Sequence, residues 1–412
     1  MGVLLALVSF CGCFSCSEQP AQTNKIYPEK QMKTDGQLYM GSGILFPSEL
    51  WTTPEAERYV ALDNGFAQGY FIKSVQDTDV FCFVGIPQDA TEQNKVPGIV
   101  LVHGGGGTAF FEWVNYWVGK GYAAIAMDTD GTMPTEASLM NTSVRVNNPR
   151  NAGPHNLSFG DKNKDITEQW VYHALSAIIA ANSFLRSFEG VDAARIGITG
   201  ISWGSFLTCQ SIAYDDRYAF AIPVYGSFEQ RFGHGTTWSS MMEDGKIAAL
   251  WDDGSILGKN NTPVFYINSS NDPHFSPVST SLSHSMTKYS SMLLKYGLLH
   301  GHDVGGLNIE ETVIFANNIC FGEAPLLQIT KQPSKGNAVM GIKAISVEIE
   351  QVVGYYTFDE VVTPDTVWIF TFGDAENGVC SVDIPTSATY FFMNAMDSRG
   401  AEISSEVVSC AG

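Results

Sequence analysis

Hydrophobic and polar positions follow three rhythms along this chain. Short apolar runs, rich in β-branched or aromatic residues, predict strands at 77–84, 96–102, 123–127, 195–199, 220–225 and 264–268. Between them, apolar residues recur at helical spacing. The stretch 110–120 is amphipathic, and 166–188 carries Trp170, Ala174, Ala177 and Ala181 at helical intervals. Strands alternating with helices predict an α/β fold with a mostly parallel sheet flanked by helices. From about Pro325 the rhythm changes. The runs 342–349, 366–372 and 388–393 are strand-like and separated by Gly, Asp, Asn and Pro turns, which predicts a small β-sandwich-like accessory domain. The predicted layout is a catalytic domain over 41–322 and an accessory domain over 323–412, whose safer reading is packing or spacing rather than carbohydrate binding.

Two stretches lack periodicity. Residues 128–165 carry Asn, Gly, Pro and Arg in a long loop after a predicted strand end, where α/β sheets bind ligands. Residues 226–262 form an insert bearing Phe228, Phe232, His234, Trp238 and Trp251. Those aromatics either wall a pocket and stack on sugar rings or pack the insert onto the main domain, and composition does not separate the two.

Candidate chemistry sits at the strand ends. Residues 200–204 read Gly-Ile-Ser-Trp-Gly, after the strand-like Arg195–Thr199 and before the helix-like 205–214. A strand turning sharply into a helix holds a serine at its apex, with glycines where the two backbones pass closely, so Ser202 is the candidate nucleophile. A bare G-x-S-x-G is common by chance in a glycine-rich chain; the strand before and helix after give it weight. Upstream, Val96–Val102 leads into His103-Gly104-Gly105-Gly106-Gly107. A glycine loop there supplies backbone N–H groups, so Gly105, Gly106 and the backbone of Trp203 are the expected oxyanion hole. The bland alternative is a plain glycine turn. The loop lacks the lysine and hydroxyl of a phosphate-binding motif and the spacing of a dinucleotide fingerprint.

Downstream, the strand 264–268 is followed by Asp272, and a glycine-rich loop carries His300-Gly301-His302. The order Ser202, Asp272, His302 is the Ser…Asp…His order of an α/β-hydrolase. The histidine takes the serine proton, and the aspartate fixes the imidazole tautomer. His302 is preferred to His300 because a glycine and an acid flank it. His274 is read as a loop residue on the pocket rim. Asp253 is a weaker acid, with no clear strand before it. Cys82 and Cys209 are expected as buried small hydrophobes, and no Cys/His spacing predicts a metal site or cofactor.

Four stretches carry a family resemblance: 103–110, 121–128, 191–204 and 300–302. Together they resemble the acetyl xylan esterase and prolyl oligopeptidase-like group of α/β-hydrolases over about 60–320. The resemblance implies a serine hydrolase and carbohydrate ester substrates. One departure is Ser205, where such proteins often have a second glycine; it questions how closely the helix packs, not the nucleophile.

Bulk properties narrow the partners. The chain has 412 residues and a net charge of −20. With no basic patch, a nucleic-acid partner is not expected. Residues 1–16 read as a targeting segment: an apolar run from Val3 to Phe10, too short to span a bilayer, ends in Cys11-Gly-Cys13-Phe-Ser-Cys16. A small residue before each of Cys13 and Cys16 predicts a bacterial lipoprotein-type signal, hence export and membrane attachment through an N-terminal lipid, with 17–40 as a linker. An ordinary cleaved signal peptide is the alternative. Cys380 and Cys410 are a possible disulfide in such a compartment. The expected function is a serine esterase deacetylating plant-type polysaccharide or oligosaccharide. An oligopeptidase-like peptidase is the second reading; the 80 or so residues before His103 are too few for the propeller domain of that group. A non-catalytic carbohydrate-binding protein on the same scaffold is the third.

Overall fold

The apolar runs pair into one nine-stranded sheet in a computed structural model that describes residue 27, residues 44–135 and residues 145–410. Cys13 and Cys16, and nearly all of the expected linker, lie outside the described residues. In chain order the strands are β1 (Ala56–Arg58), β2 (Gln68–Lys73), β3 (Asp79–Gly85), β4 (Val96–Val102), β5 (Ala123–Met127), a separate ribbon of β6 (Thr132–Pro134) and β7 (Arg145–Asn147), then β8 (Val191–Ile201), β9 (Ala221–Val224), β10 (Val264–Ser269) and β11 (Ser290–Lys295). The sheet order is β1-β2-β3-β5-β4-β8-β9-β10-β11. From β5 to β11 every pairing is parallel, and β1 to β3 extend one edge antiparallel. This is the expected α/β-hydrolase architecture.

Helices α1 (Phe111–Gly119), α2 (Trp170–Arg186), α3 (Trp203–Tyr214), α4 (Thr237–Met242), α5 (Gly245–Trp251), α6 (Pro277–Met286), α7 (His302–Leu307) and α8 (Glu310–Phe321) follow the strands. Side chains alternate across a strand, so each face of the sheet buries its own set. Ile99, Leu101, Ala124 and Ala126 pack with Trp113, Val114 and Trp117 of α1. Val100, Val102, Ile125 and Met127 pack with Leu175, Ile178 and Ile179 of α2 and Phe206 and Leu207 of α3. Burial on both faces explains why these strands read as continuous apolar runs. Cys82 and Cys209 are fully buried in this core. No helix among the described residues is long and apolar enough to cross a membrane.

The C-terminal strands form two further sheets. They are β12 (Gln328–Lys331), β13 (Val339–Lys343), β14 (Ile349–Thr357), β15 (Ile369–Phe372), β16 (Asp374–Glu376), β17 (Val379–Ser381), β18 (Tyr390–Asp397), β19 (Glu402–Ser404) and β20 (Val408–Ser409). One sheet runs β12-β13-β17-β16 and the other β15-β14-β18-β19, with β20 on β18. Met340, Ile342 and Cys380 of the first, with Val382 just beyond β17, share one core with Val352, Phe391 and Met393 of the second, as in a sandwich. The expected strand 342–349 is corrected. Ser346 takes a left-handed φ of 60° and a turn falls in mid-run, so β13 ends at Lys343 and β14 begins at Ile349. Cys380 and Cys410 are both free thiols in this structure.

The accessory lobe holds the site loop directly. Asn271 Nδ2 donates to the carbonyls of Pro364 (3.0 Å) and Thr366 (2.8 Å), and Trp368 Nε1 donates to the Ser270 carbonyl (3.2 Å). The loop between β14 and β15 thus fixes the two residues that precede Asp272.

The close pass of β8 and α3 depends on glycine. A Cβ on Gly200 would lie 2.2 Å from the Gly204 carbonyl, and one on Gly204 would lie 2.1 Å from the Val102 carbonyl. Both clashes are with backbone, which cannot rotate away. Gly204→Ala is therefore expected to cost at least about 3 kcal/mol, by forcing α3 off the sheet. Urea denaturation measures it, and an unchanged midpoint contradicts the packing argument. Ser205 resolves the doubt raised by the missing second glycine. It is fully buried, and its Oγ donates to the Gly226 carbonyl at 2.9 Å, so the hydroxyl is satisfied inside the contact.

Candidate active site

Ser202 stands at the apex between β8 and α3 with φ 58° and ψ −119°, a strained conformation for a non-glycine residue. Backbone on both sides holds it there. The Ser202 N–H donates to the Val224 carbonyl (2.9 Å), and the Ser202 carbonyl accepts from Ser205 (2.9 Å) and Phe206 (3.1 Å), which starts the helix. The apex opens into a pocket of about 570 Å³ that Gly105, Gly106, Trp203 and His300 also line.

Asp272 follows β10, as expected, and is 1% exposed. Its Oδ1 accepts the backbone N–H groups of His274 (2.8 Å) and Phe275 (2.8 Å). Its Oδ2 bonds Nδ1 of His300 at 2.7 Å. The expectation that His302 pairs with Asp272 is thus corrected: His300 does. His302 is the first residue of α7, and the helical turn carries its ring toward the glycine loop, where Nε2 accepts the Gly104 N–H at 3.1 Å. There it lies against Phe110 (5.1 Å between rings) and Trp113 (6.1 Å). Burial pushes the His302 imidazole down to about 4, and neighbouring His103 adds to the shift. A neutral imidazole follows, with Nε2 as acceptor. The flanking acid that favoured His302, Asp303, is exposed to solvent instead.

His300 is positioned from three directions. Asp272 takes Nδ1, which leaves Nε2 for proton transfer. Tyr225 lies tilted over the ring at 4.7 Å and donates its hydroxyl to the Leu299 carbonyl at 2.7 Å, fixing the adjoining backbone. His274 packs edge-on at 4.6 Å, with its Nδ1 bonded to Thr237 Oγ1 at 2.9 Å. Burial, then His300, lowers the pKa of His274, so it is a neutral wall of the rim, as read from the sequence. Tyr225 carries φ 58° and was not singled out by sequence, since nothing local marks it.

The glycine loop is ordered by the two other histidines. Thr129 N–H donates to His103 Nε2 (2.9 Å), so His103 Nδ1 carries the proton and donates to the Gly104 carbonyl (2.8 Å). The Gly104 N–H is spent on His302, and the Gly107 N–H closes a turn onto the Gly104 carbonyl at 3.0 Å. Gly105 and Gly106 line the pocket wall together with Trp203. Gly106 has φ 74°, and a Cβ on Gly105 would strike the Trp203 indole at 2.6 Å.

The opposite wall comes from the long 128–165 loop. Asp130, Arg145, Asn156 and Ser158 line the pocket, and sequence reasoning placed the loop there without naming them. Of the insert aromatics, Trp238 lines the pocket, while Phe228 and Trp251 are buried in the core and Phe232 is 51% exposed. Most of that aromatic content is packing. Asp253 caps a short 3-10 turn by accepting the Ser255 N–H and plays no part here.

Residues 67–232 match the family described as Acetyl xylan esterase (AXE1). None of the curated proteins matches the chain. Among solved structures, the acetyl xylan esterase from Paenibacillus sp. R4 superposes with a TM-score of 0.53 at 17% identity, covering 71% of this chain and 97% of its own. Acetyl Xylan Esterase 1 from Thermoanaerobacterium sp. JW/SL YS485 gives 0.46 at 14% identity, covering 60% and 81%. The acylaminoacyl peptidase of Pyrococcus horikoshii gives 0.47 at 17%, covering 67% and 43%. At these identities the first match speaks for the fold alone. The family match and the fold together support a serine carboxylic ester hydrolase.

Proposed function

We propose that this protein is a serine esterase that removes short acyl groups, acetate first, from carbohydrate. The observation that carries the reading is the 2.7 Å bond between Asp272 and His300, with His300 lining the pocket into which the strained Ser202 opens. His300 Nε2 takes the Ser202 proton as Oγ attacks the ester carbonyl. The oxyanion forms against the backbone N–H groups of Trp203 and of Gly105 or Gly106, with the α3 N-terminus adding positive potential. Collapse breaks the C–O bond, and His300 returns the proton to the leaving alcohol. Water then repeats the sequence on the acyl-serine and releases the acid.

Asp130, Arg145, Asn156 and Ser158 give the pocket the polar wall that suits a hydroxylated substrate. Esters have the better leaving group, whereas amide cleavage also needs amine protonation and subsites for a peptide backbone. The expected result is hydrolysis of aryl acetates with kcat/KM falling as the acyl chain lengthens, and acetate release from acetylated oligosaccharides. Cleavage of a proline-containing peptide without activity on acetyl esters would promote the peptidase reading instead.

A further inference from the structure

We infer that Arg145 reads a carboxylate on the substrate, so that this esterase prefers acylated compounds bearing an acidic group within reach of the ester. The inference rests on the esterase reading and deepens it. Arg145 begins β7 and lines the pocket that Ser202 opens into, with its side chain 27% exposed. Both protons of its Nη1 are used: one on the Gly107 carbonyl (2.8 Å), the other on Asp130 Oδ2 (2.6 Å). A guanidinium has five donors in a rigid fork. The three on Nε and Nη2 find no acceptor among the described residues. They form one side of the fork, the side that takes the two oxygens of a carboxylate in parallel.

Asp130 does not cancel this. Its side chain is 9% exposed, and its oxygens are engaged by Arg145 on one side and the Asn156 N–H on the other. It orients the guanidinium rather than presenting negative charge to a ligand. Among the described residues, Asp130 is also the one acidic side chain that lines the pocket. The Gly107 bond ties the fork to the same glycine loop as Gly105 and Gly106, so its place relative to the reacting carbonyl is fixed. The net charge of −20 offers an anion no long-range attraction. Selectivity therefore arises after encounter, from short-range paired hydrogen bonds. Uronate residues of a polysaccharide carry such a carboxylate on the alcohol side of the ester. A dicarboxylic half-ester carries one on the acyl side.

Inhibition of aryl acetate hydrolysis tests the inference. In the wild type, glucuronate and galacturonate should inhibit at concentrations about ten- to a hundredfold below those of their methyl esters. In Arg145→Gln that ratio should fall to about one, whatever its basal rate, and Arg145→Lys should keep part of it. Calorimetric titration of uronate into Ser202→Ala gives the same comparison without turnover. A parallel arm compares aryl hemisuccinate with aryl acetate: a wild-type preference for the hemisuccinate, lost in Arg145→Gln, puts the carboxylate on the acyl side. Equal inhibition by acid and methyl ester, with no hemisuccinate preference, overturns the inference, as does a ratio that survives in Arg145→Gln. A wild type inert to aryl acetate overturns the esterase reading instead. The wild-type comparison needs no variant to fold.

Discussion

Ser202→Ala should lower kcat on aryl acetates by about five to six orders of magnitude while leaving the fold in place. The hydroxyl is the only atom removed, and the backbone bonds to Val224, Ser205 and Phe206 do not involve it. Alanine inherits the same strained φ of 58°, so the folded state gains no relief and urea denaturation should move by less than about 1 kcal/mol. The variant should also lose covalent labelling by a fluorophosphonate. Retained turnover with retained labelling at another serine would remove Ser202 from the chemistry.

His300 and His302 separate by effect and by pH. His300→Ala removes the proposed base and leaves Asp272 buried with one oxygen unpaired. Turnover should fall by about four to six orders of magnitude, with a loss of about 2–3 kcal/mol in stability. His302→Ala removes the acceptor for the Gly104 N–H and the ring that packs on Phe110 and Trp113, neither of which takes part in the proton transfer, so its cost in turnover should stay within about ten- to thirtyfold through a looser glycine loop.

The pH signature runs the other way. The His302 imidazole titrates at about 4 in the folded chain against an ordinary 6.5, so the unfolded chain holds the proton more tightly. Its contribution to stability is intact above about pH 6.5, is lost progressively as pH falls from there toward 4, and levels off below. His302→Ala should flatten that part of the stability–pH curve. The reverse pattern, with His302→Ala inactive and His300→Ala near normal, would restore the assignment drawn from flanking residues.

The accessory lobe's grip on Ser270 and Asn271 gives physical content to its role. Asp272 must hold His300 in one orientation, yet it lies in a loop. Three hydrogen bonds from the loop between β14 and β15 restrain the two residues before it. This supports the packing role read from the sequence.

The sequence alone determined what short-range patterning controls. Strands buried on both faces declare themselves as apolar runs, so β4 and β5 fall where expected to the residue. The Gly200–Gly204 elbow is legible because only glycine tolerates backbone at 2.2 Å from a Cβ. Asp272 is legible because it follows the apolar run of β10 and falls between Ser202 and the two histidines in chain order. Contacts between distant segments were not legible. The two histidines are two residues apart in a flexible-looking loop, and their identical chemistry gives no local ground for choice. The onset of α7 at His302 turns one ring toward Gly104 and leaves the other facing Asp272, and that turn is stabilised by packing against Phe110 and Trp113, far away in sequence. Arg145 was invisible for the same reason: its partners Gly107 and Asp130 lie 38 and 15 residues away. The break at Ser346 escaped because alternation continues across a bend that passes the chain from one sheet to the other. Periodicity records which face a residue buries, whereas a site is set by which faces meet, and only the tertiary structure decided that.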